Sequence, residues 1–160
     1  VGFPHRLLVP SAVAALLACG GRPVTPTVPL GATPDATVEA FLDAVRSSNL
    51  AAMAGLWGDE RGPSNVTNRI PAAERERRLV IIQRVLRHEE RRIAGTDAQL
   101  PAQPVVRVEL VQGGRRFTVP FTLVQVRRGG GWVVREIGLD AAMPAARPRP
   151  GTPGTTSQPD

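Results

Sequence analysis

None of the 20 basic residues in this 160-residue chain is lysine, no residue is tyrosine, and there is one cysteine beside two histidines. A single cysteine excludes an internal disulfide, and Cys19 with His5 and His88 makes too poor a donor set for zinc, so no metal or other cofactor is expected. Four Phe and two Trp leave little surface on which bases or sugars could stack. The longest apolar run falls short of the roughly 20 residues that a membrane-spanning helix needs. The net charge of +6 and the pI near 11.4 invite a reading as a phosphate binder. However, arginine without lysine, among abundant Ala, Gly and Pro, is what a GC-rich coding bias produces. The densest basic stretch, ERERRLVIIQRVLRHEERR, also interleaves Glu74, Glu76, Glu89 and Glu90 with its arginines, which is the pattern of a solvated helix face. No nucleic-acid partner is expected.

The 42% apolar content is enough for a packed core, and the length suits one domain with tails. The 16 prolines gather towards both ends, which read as linkers around a folded middle. Near the start, the run LLVPSAVAALLA follows His5 and Arg6 and has the length of the apolar region of a secretory signal. It ends in Leu16-Leu17-Ala18-Cys19, which resembles the bacterial lipobox, although a residue smaller than Leu17 is more usual at that place. The resemblance implies that the Cys19 thiol carries a lipid and becomes the new N-terminus, with the domain outside the cytoplasm on a membrane of the bacterial cell envelope. Two alternatives stand beside it: a signal peptide cut elsewhere, and an apolar helix of the domain. Pro10 and Gly20-Gly21-Arg22-Pro23 argue against the second. The expected organisation is a signal peptide over residues 1–18, a Pro-rich tether over 19–32, a folded domain over 33–140 and a disordered Pro-rich tail over 141–160.

The domain opens with Thr33-Pro34-Asp35, an N-cap, a favoured first helical residue and an acid placed to meet the helix dipole. Val38, Phe41, Leu42 and Val45 then fall at i, i+3, i+4 and i+7, one face of a helix. Asn49 caps a short second helix with Leu50, Met53, Ala54 and Trp57 along one side, closed by Gly58. The polar stretch DERGPSNVTNRIP reads as a loop. A third helix is expected from about Pro71 to His88, with Leu79, Ile82, Val85 and Leu86 inward. The run Leu79-Val80-Ile81-Ile82 could make a strand, but its Arg, Glu and Gln flanks favour helix. From about Arg92 the period becomes two. Gly113-Gly114 suits a two-residue hairpin turn, placing Leu110 opposite Phe117, Val108 opposite Val119 and Val106 opposite Phe121. Gly129-Gly130-Gly131 marks a second hairpin, with Leu123 expected opposite Ile137 and Phe121 opposite Leu139. Thr118, Thr122, Val124 and Val126 are then expected on an open outer face. Strand, turn and period together predict an α+β fold: three N-terminal helices on a curved antiparallel sheet of about four strands.

This order of elements resembles the nuclear transport factor 2-like, or cystatin-like, roll. TPDATVEAFLDAVRSSNLAAMAGLW is similar to the opening of small bacterial secreted members of that family, and GGGWVVREIGL to their closing strand. The resemblance implies a conical cavity between sheet and helices. In ketosteroid isomerases and polyketide cyclases the cavity is an active site; in other relatives it binds a small molecule or the sheet dimerises, so fold leaves function open.

Trp57, Asp59, Glu60 and Arg61 stand where the second helix meets the loop, which is the expected mouth of such a cavity, with Arg84 and His88 reaching it from the third helix. An acid there could act as a general base if burial raised its pKa. The oxyanion donor of the isomerases is usually tyrosine, which this chain lacks. The competing reading of these residues is structural: Trp57 in the core, Asp59 or Glu60 capping a turn, Arg61 solvated, and His88 a favourable charge at a helix C-terminus. No catalytic residue is assigned. The expected function is a non-catalytic envelope lipoprotein whose domain binds a small molecule or a protein partner. The alternatives are an isomerase or hydrolase working in the cavity, and a homodimer formed through the sheet.

Overall fold

Thr33 starts the first helix. In the computed structural model, which describes residues 29–143, its hydroxyl accepts the Ala36 N–H at 3.2 Å and α1 runs over Pro34–Arg46. Val38, Phe41, Leu42 and Val45 are fully buried, as their spacing requires. Ser48 takes a positive φ of 55° to end the helix, and the Asn49 side chain accepts the Ala52 N–H at 3.0 Å to begin α2, Leu50–Leu56. Gly58 does not close this helix. Trp57 is already extended, and Gly58 starts β1 (Gly58–Asp59), which pairs antiparallel with β2 (Gly62–Pro63). The stretch expected as a loop is thus a two-rung hairpin followed by a single helical turn, α3 (Ser64–Thr67), that ends on Asn68 in the left-handed region.

The next helix, α4, spans Ala72–Val85, so Leu79-Val80-Ile81-Ile82 is helical. Leu79 and Leu86 are buried, Ile82 and Val85 are half-buried, and Val80 and Ile81 face outward. The helix stops earlier than its sequence suggests. Leu86 caps it, and His88 lies beyond its last turn in the connection to the sheet.

Four antiparallel strands follow as a meander in the order β3-β4-β5-β6: Glu90–Asp97, Val105–Gln112, Arg115–Gln125 and Trp132–Ile137. The β4–β5 register is the one the Gly113-Gly114 turn dictates: Leu110 opposite Phe117, Val108 opposite Val119 and Val106 opposite Phe121. Both glycines have positive φ, 56° and 75°. The β5–β6 register differs from expectation. Phe121 faces Ile137 and Leu123 faces Val134, because the chain reverses over Arg127–Gly130, with the Val126 N–H donating to the Gly131 carbonyl at 3.0 Å. Between Thr122–Glu136 and Leu123–Val134 the pairing skips Arg135, the extra residue of a bulge.

One face of the sheet, with Val106, Val108, Leu110, Val119, Phe121, Leu123 and Val134, packs on Phe41, Leu42, Met53, Leu56, Leu79 and Leu86 from the helical side. Phe41 and Phe121 meet edge to face, 6.2 Å between ring centres. The helices are further tied to the sheet by Arg91 of β3, whose guanidinium reaches Glu39 at 2.8 Å and Asp43 at 2.9 Å on α1. The opposite face is less open than Thr118, Thr122, Val124 and Val126 suggest. Thr118 is exposed, but Val124 and Val126 are buried with Val133, and Leu30 packs against all three. Gly31 holds that segment in place by bridging to Trp132.

Candidate functional site

Trp57 sits at a junction. Its backbone forms a parallel bridge to Val134 of β6, and its carbonyl accepts the Ser64 N–H at 2.7 Å. The β1–β2 hairpin is thereby held between α2 and the sheet edge, and the Arg127 N–H closes the arrangement by donating to the Glu60 carbonyl at 2.9 Å. Around this junction lies a concavity of about 130 Å³ lined by Trp57, Gly58, Asp59, Ser64, Thr67, Arg69, Ile70 and Arg135.

Each polar wall residue is positioned by a local device. Asp59 accepts the Arg61 N–H at 2.8 Å in a tight turn and pairs with the Arg69 guanidinium at 2.7 Å. Ser64 donates its hydroxyl to the Ala54 carbonyl at 3.0 Å, which fastens α3 to α2, and Thr67 donates to the Pro63 carbonyl at 3.2 Å. Arg135, the bulge residue, points to Glu60 and meets its carboxylate at 2.9 Å. Two ion pairs therefore frame the opening, Asp59–Arg69 and Glu60–Arg135. Each guanidinium has five N–H donors and spends only part of them on its carboxylate.

The Asp59 carboxyl titrates below its ordinary value. Its partial burial pulls the pKa upward, but the Arg61 N–H and the Arg69 guanidinium outweigh that and favour the charged form. It is held as an ionised acceptor, with Oδ1 on the Arg61 N–H and Oδ2 on the Arg69 guanidinium.

Of the residues proposed from the sequence, Trp57 and Asp59 line the concavity and Glu60 reaches it through Arg135. Arg61 contributes its backbone N–H while its side chain is exposed. Arg84 and His88 are not among the lining residues. Arg84 is exposed on α4, whereas the His88 ring is buried with Nδ1 2.9 Å from the Leu86 carbonyl and Nε2 without a partner among the described residues. Ser64, Thr67, Arg69 and Arg135 complete the wall and were not singled out from the sequence. Arg135 carries no local signal, because a bulge supplies its direction. Arg69 was detectable only as a cation ending a run rich in turn formers.

A larger, open groove of about 590 Å³ runs between α2, α3 and α4 past Leu50, Ala54, Asn65, Val66, Arg75 and Leu79. Its one arginine, Arg75, already donates to the Ser64 carbonyl at 3.2 Å. Among the described residues no three His, Cys, Asp or Glu side chains gather as a metal site, and no helix is long and apolar enough to cross a membrane. Cys19 lies outside the described residues. Comparison with protein-family models, curated proteins and solved structures finds no match to this chain.

Proposed function

We propose that the chain is a bacterial envelope lipoprotein, anchored through Cys19, whose folded part is a nuclear transport factor 2-like roll that works as a binding module and not as an enzyme. The helices-then-meander order and the Leu16-Leu17-Ala18-Cys19 junction support the roll and the anchor respectively. One observation carries the choice of binding over catalysis: the carboxylate in the wall, Asp59, is committed to Arg69 and the Arg61 N–H and kept ionised. A general base works best with a carboxyl pKa near the working pH and an oxygen free to reach the proton it abstracts, whereas Oδ1 of Asp59 is taken by the Arg61 N–H and Oδ2 by Arg69.

Size narrows the ligand. A concavity of about 130 Å³ is smaller than the roughly 300–1,000 Å³ of drug-sized ligand pockets. It suits a small polar molecule, or one side chain of a protein partner, that rests on the Trp57 ring and accepts hydrogen bonds from Arg69 and Arg135. The test is a screen of small carboxylates, amides and short peptides by amide and indole chemical-shift mapping on the full chain. Binding should move the Trp57 indole signal, and Arg69→Ala or Arg135→Ala should abolish the shift. Turnover of a carbonyl or ester substrate that is lost in Asp59→Asn would instead establish an enzyme. The anchor has its own test. In a bacterium with the lipoprotein pathway the wild type should enter the detergent phase and Cys19→Ser should not, and equal partitioning would remove the lipid.

A further inference from the structure

Strand β5 outruns its neighbour. Its pairing with β4 ends at Val105 opposite Thr122, and one further rung follows, the Leu123 N–H on the Pro104 carbonyl at 3.0 Å. Beyond Pro104 the chain leaves the sheet edge, because the Gln103 N–H turns back to the Leu100 carbonyl at 2.8 Å. The next contact on that edge comes from elsewhere in the chain, where the Arg127 N–H reaches the Glu60 carbonyl at 2.9 Å. Successive residues of a strand turn their backbone groups to opposite edges. Val126 shows the alternation, since its N–H goes to the Gly131 carbonyl on the β6 side. Gln125, opposite Trp132, is therefore in a pair that exchanges no bonds with β6. Its N–H and carbonyl face the β4 side, midway between two closed rungs, and neither has a partner among the described residues. This open rung lies in a polar concavity of about 530 Å³ whose lining includes Glu60, Gln103, Gln125 and Arg127. The Gln103 and Gln125 amides and the Arg127 guanidinium are exposed and uncommitted among the described residues.

We propose that this slot binds a small N-acylated amino acid through two backbone hydrogen bonds exchanged with Gln125. A donor and an acceptor side by side on one strand edge are complementary to the N–H and carbonyl of one extended residue. The exchange is antiparallel, which sets the ligand's direction. Its carbonyl accepts the Gln125 N–H at the Gln103 end of the slot, and its N–H donates to the Gln125 carbonyl at the Arg127 end. The nitrogen is acylated because a free ammonium group there would meet the Arg127 guanidinium as a like charge. The slot's length limits the ligand to one residue. An open sheet edge ordinarily accepts a whole strand, but here the flanking rungs at Leu123 and Arg127 are about 13 Å apart along β5. A longer chain would run into Pro104 at one end and Glu60 at the other. The slot is separate from the Trp57 concavity, whose polar groups are already paired with one another.

The experiment titrates the isotope-labelled full chain with N-acetylglycine N-methylamide, a single acylated residue, and follows the backbone amide signals. Gln125 should move most, and the Trp57 indole should stay still. Gln125→Pro removes an N–H that the fold leaves unbonded, and should abolish the accompanying shifts at Gln103 and Arg127. Gln125→Ala keeps the backbone groups and should bind as the wild type does. The ligand carries the reciprocal test, which is independent of any effect of proline on β5. Its analogue with oxygen in place of the glycine N–H should bind about ten-fold more weakly. An acetylated tripeptide amide should bind no better than the single residue. Equal binding of the oxygen analogue, loss of binding in Gln125→Ala, or no shift at Gln125 up to the probe's solubility would overturn the proposal. Affinity that rises with peptide length would overturn it too, and would make the edge a place for strand addition. Shifts at the Trp57 indole without Gln125 would count against this slot and for the other concavity, so the two sites fall separately.

Discussion

Gly58→Ala is the substitution that most sharply probes how the Trp57 junction is built. The φ of Gly58 lies outside the left-handed region, so alanine meets no intrinsic backbone strain. In such a position Gly→Ala ordinarily stabilises by about 0.4–1 kcal/mol, because the unfolded chain loses freedom. Here the added Cβ would stand 2.2 Å from the Gly62 carbonyl oxygen and 2.9 Å from the Pro63 Cα. Both are backbone atoms of the paired strand and cannot swing aside as a flexible side chain would. Relief requires β1 to part from β2, which loosens the Ser64 N–H bond to the Trp57 carbonyl and shifts Asp59 from Arg69. Overpacking of this kind costs about 1–3 kcal/mol. A 2.2 Å approach to a backbone atom belongs at the upper end of that range, so set against the entropic gain it leaves a net loss of about 2 kcal/mol. Urea unfolding followed by far-ultraviolet circular dichroism gives the stability, and Trp57 fluorescence in a Trp132→Phe background reports the junction. A midpoint that rises or stays level, with an unchanged Trp57 spectrum, would refute the steric reasoning.

The remaining predictions concern the core and the ion pairs. Phe121→Ala should cost about 3–5 kcal/mol in unfolding free energy. In a double-mutant cycle with Phe41→Ala the two should couple by about 0.5–1.5 kcal/mol, as their edge-to-face contact requires. Acid should weaken the fold through Asp43. The hydrogen bond from Arg91 lowers its pKa in the folded state below the ordinary 3.8, against a smaller opposing effect of burial. Its stabilising contribution is therefore complete above the unfolded value and lost as pH falls through the folded one. Asp43→Asn should flatten that part of the stability–pH curve measured by thermal melting.

How much could be read in advance depended on whether a signal was local. Thr33 and Asn49 announce their helices because a cap is chemistry within three residues, and Val38 to Val45 show their face by spacing alone. Gly113-Gly114 fixes a register because only a two-residue turn with positive φ at both places fits between the alternating strands. Three consecutive glycines fix nothing comparable. Gly129-Gly130-Gly131 allows turns centred at several places, and the observed one draws in Arg127 and Arg128. The bulge at Arg135 then moves the remaining pairs back by one residue, which a period of two cannot reveal. The Trp57 site was half legible for the same reason. Trp57 and Asp59 follow directly from the end of α2, while Arg69 and Arg135 arrive from ten and 76 residues further along than Asp59, placed by a hairpin of two rungs and by that bulge. His88 was misplaced because α4 ends at Val85, one turn sooner than its charged flank suggests.

The measurement that bears most directly on a site that binds without acid–base chemistry is the titration of the Asp59 carboxyl carbon by nuclear magnetic resonance in the full chain. The Arg69 guanidinium and the Arg61 N–H predict a midpoint below the ordinary 3.8, moving upward in Arg69→Ala. A midpoint raised towards neutral pH, unmoved by removal of Arg69, would contradict it and return the concavity to the candidates for catalysis.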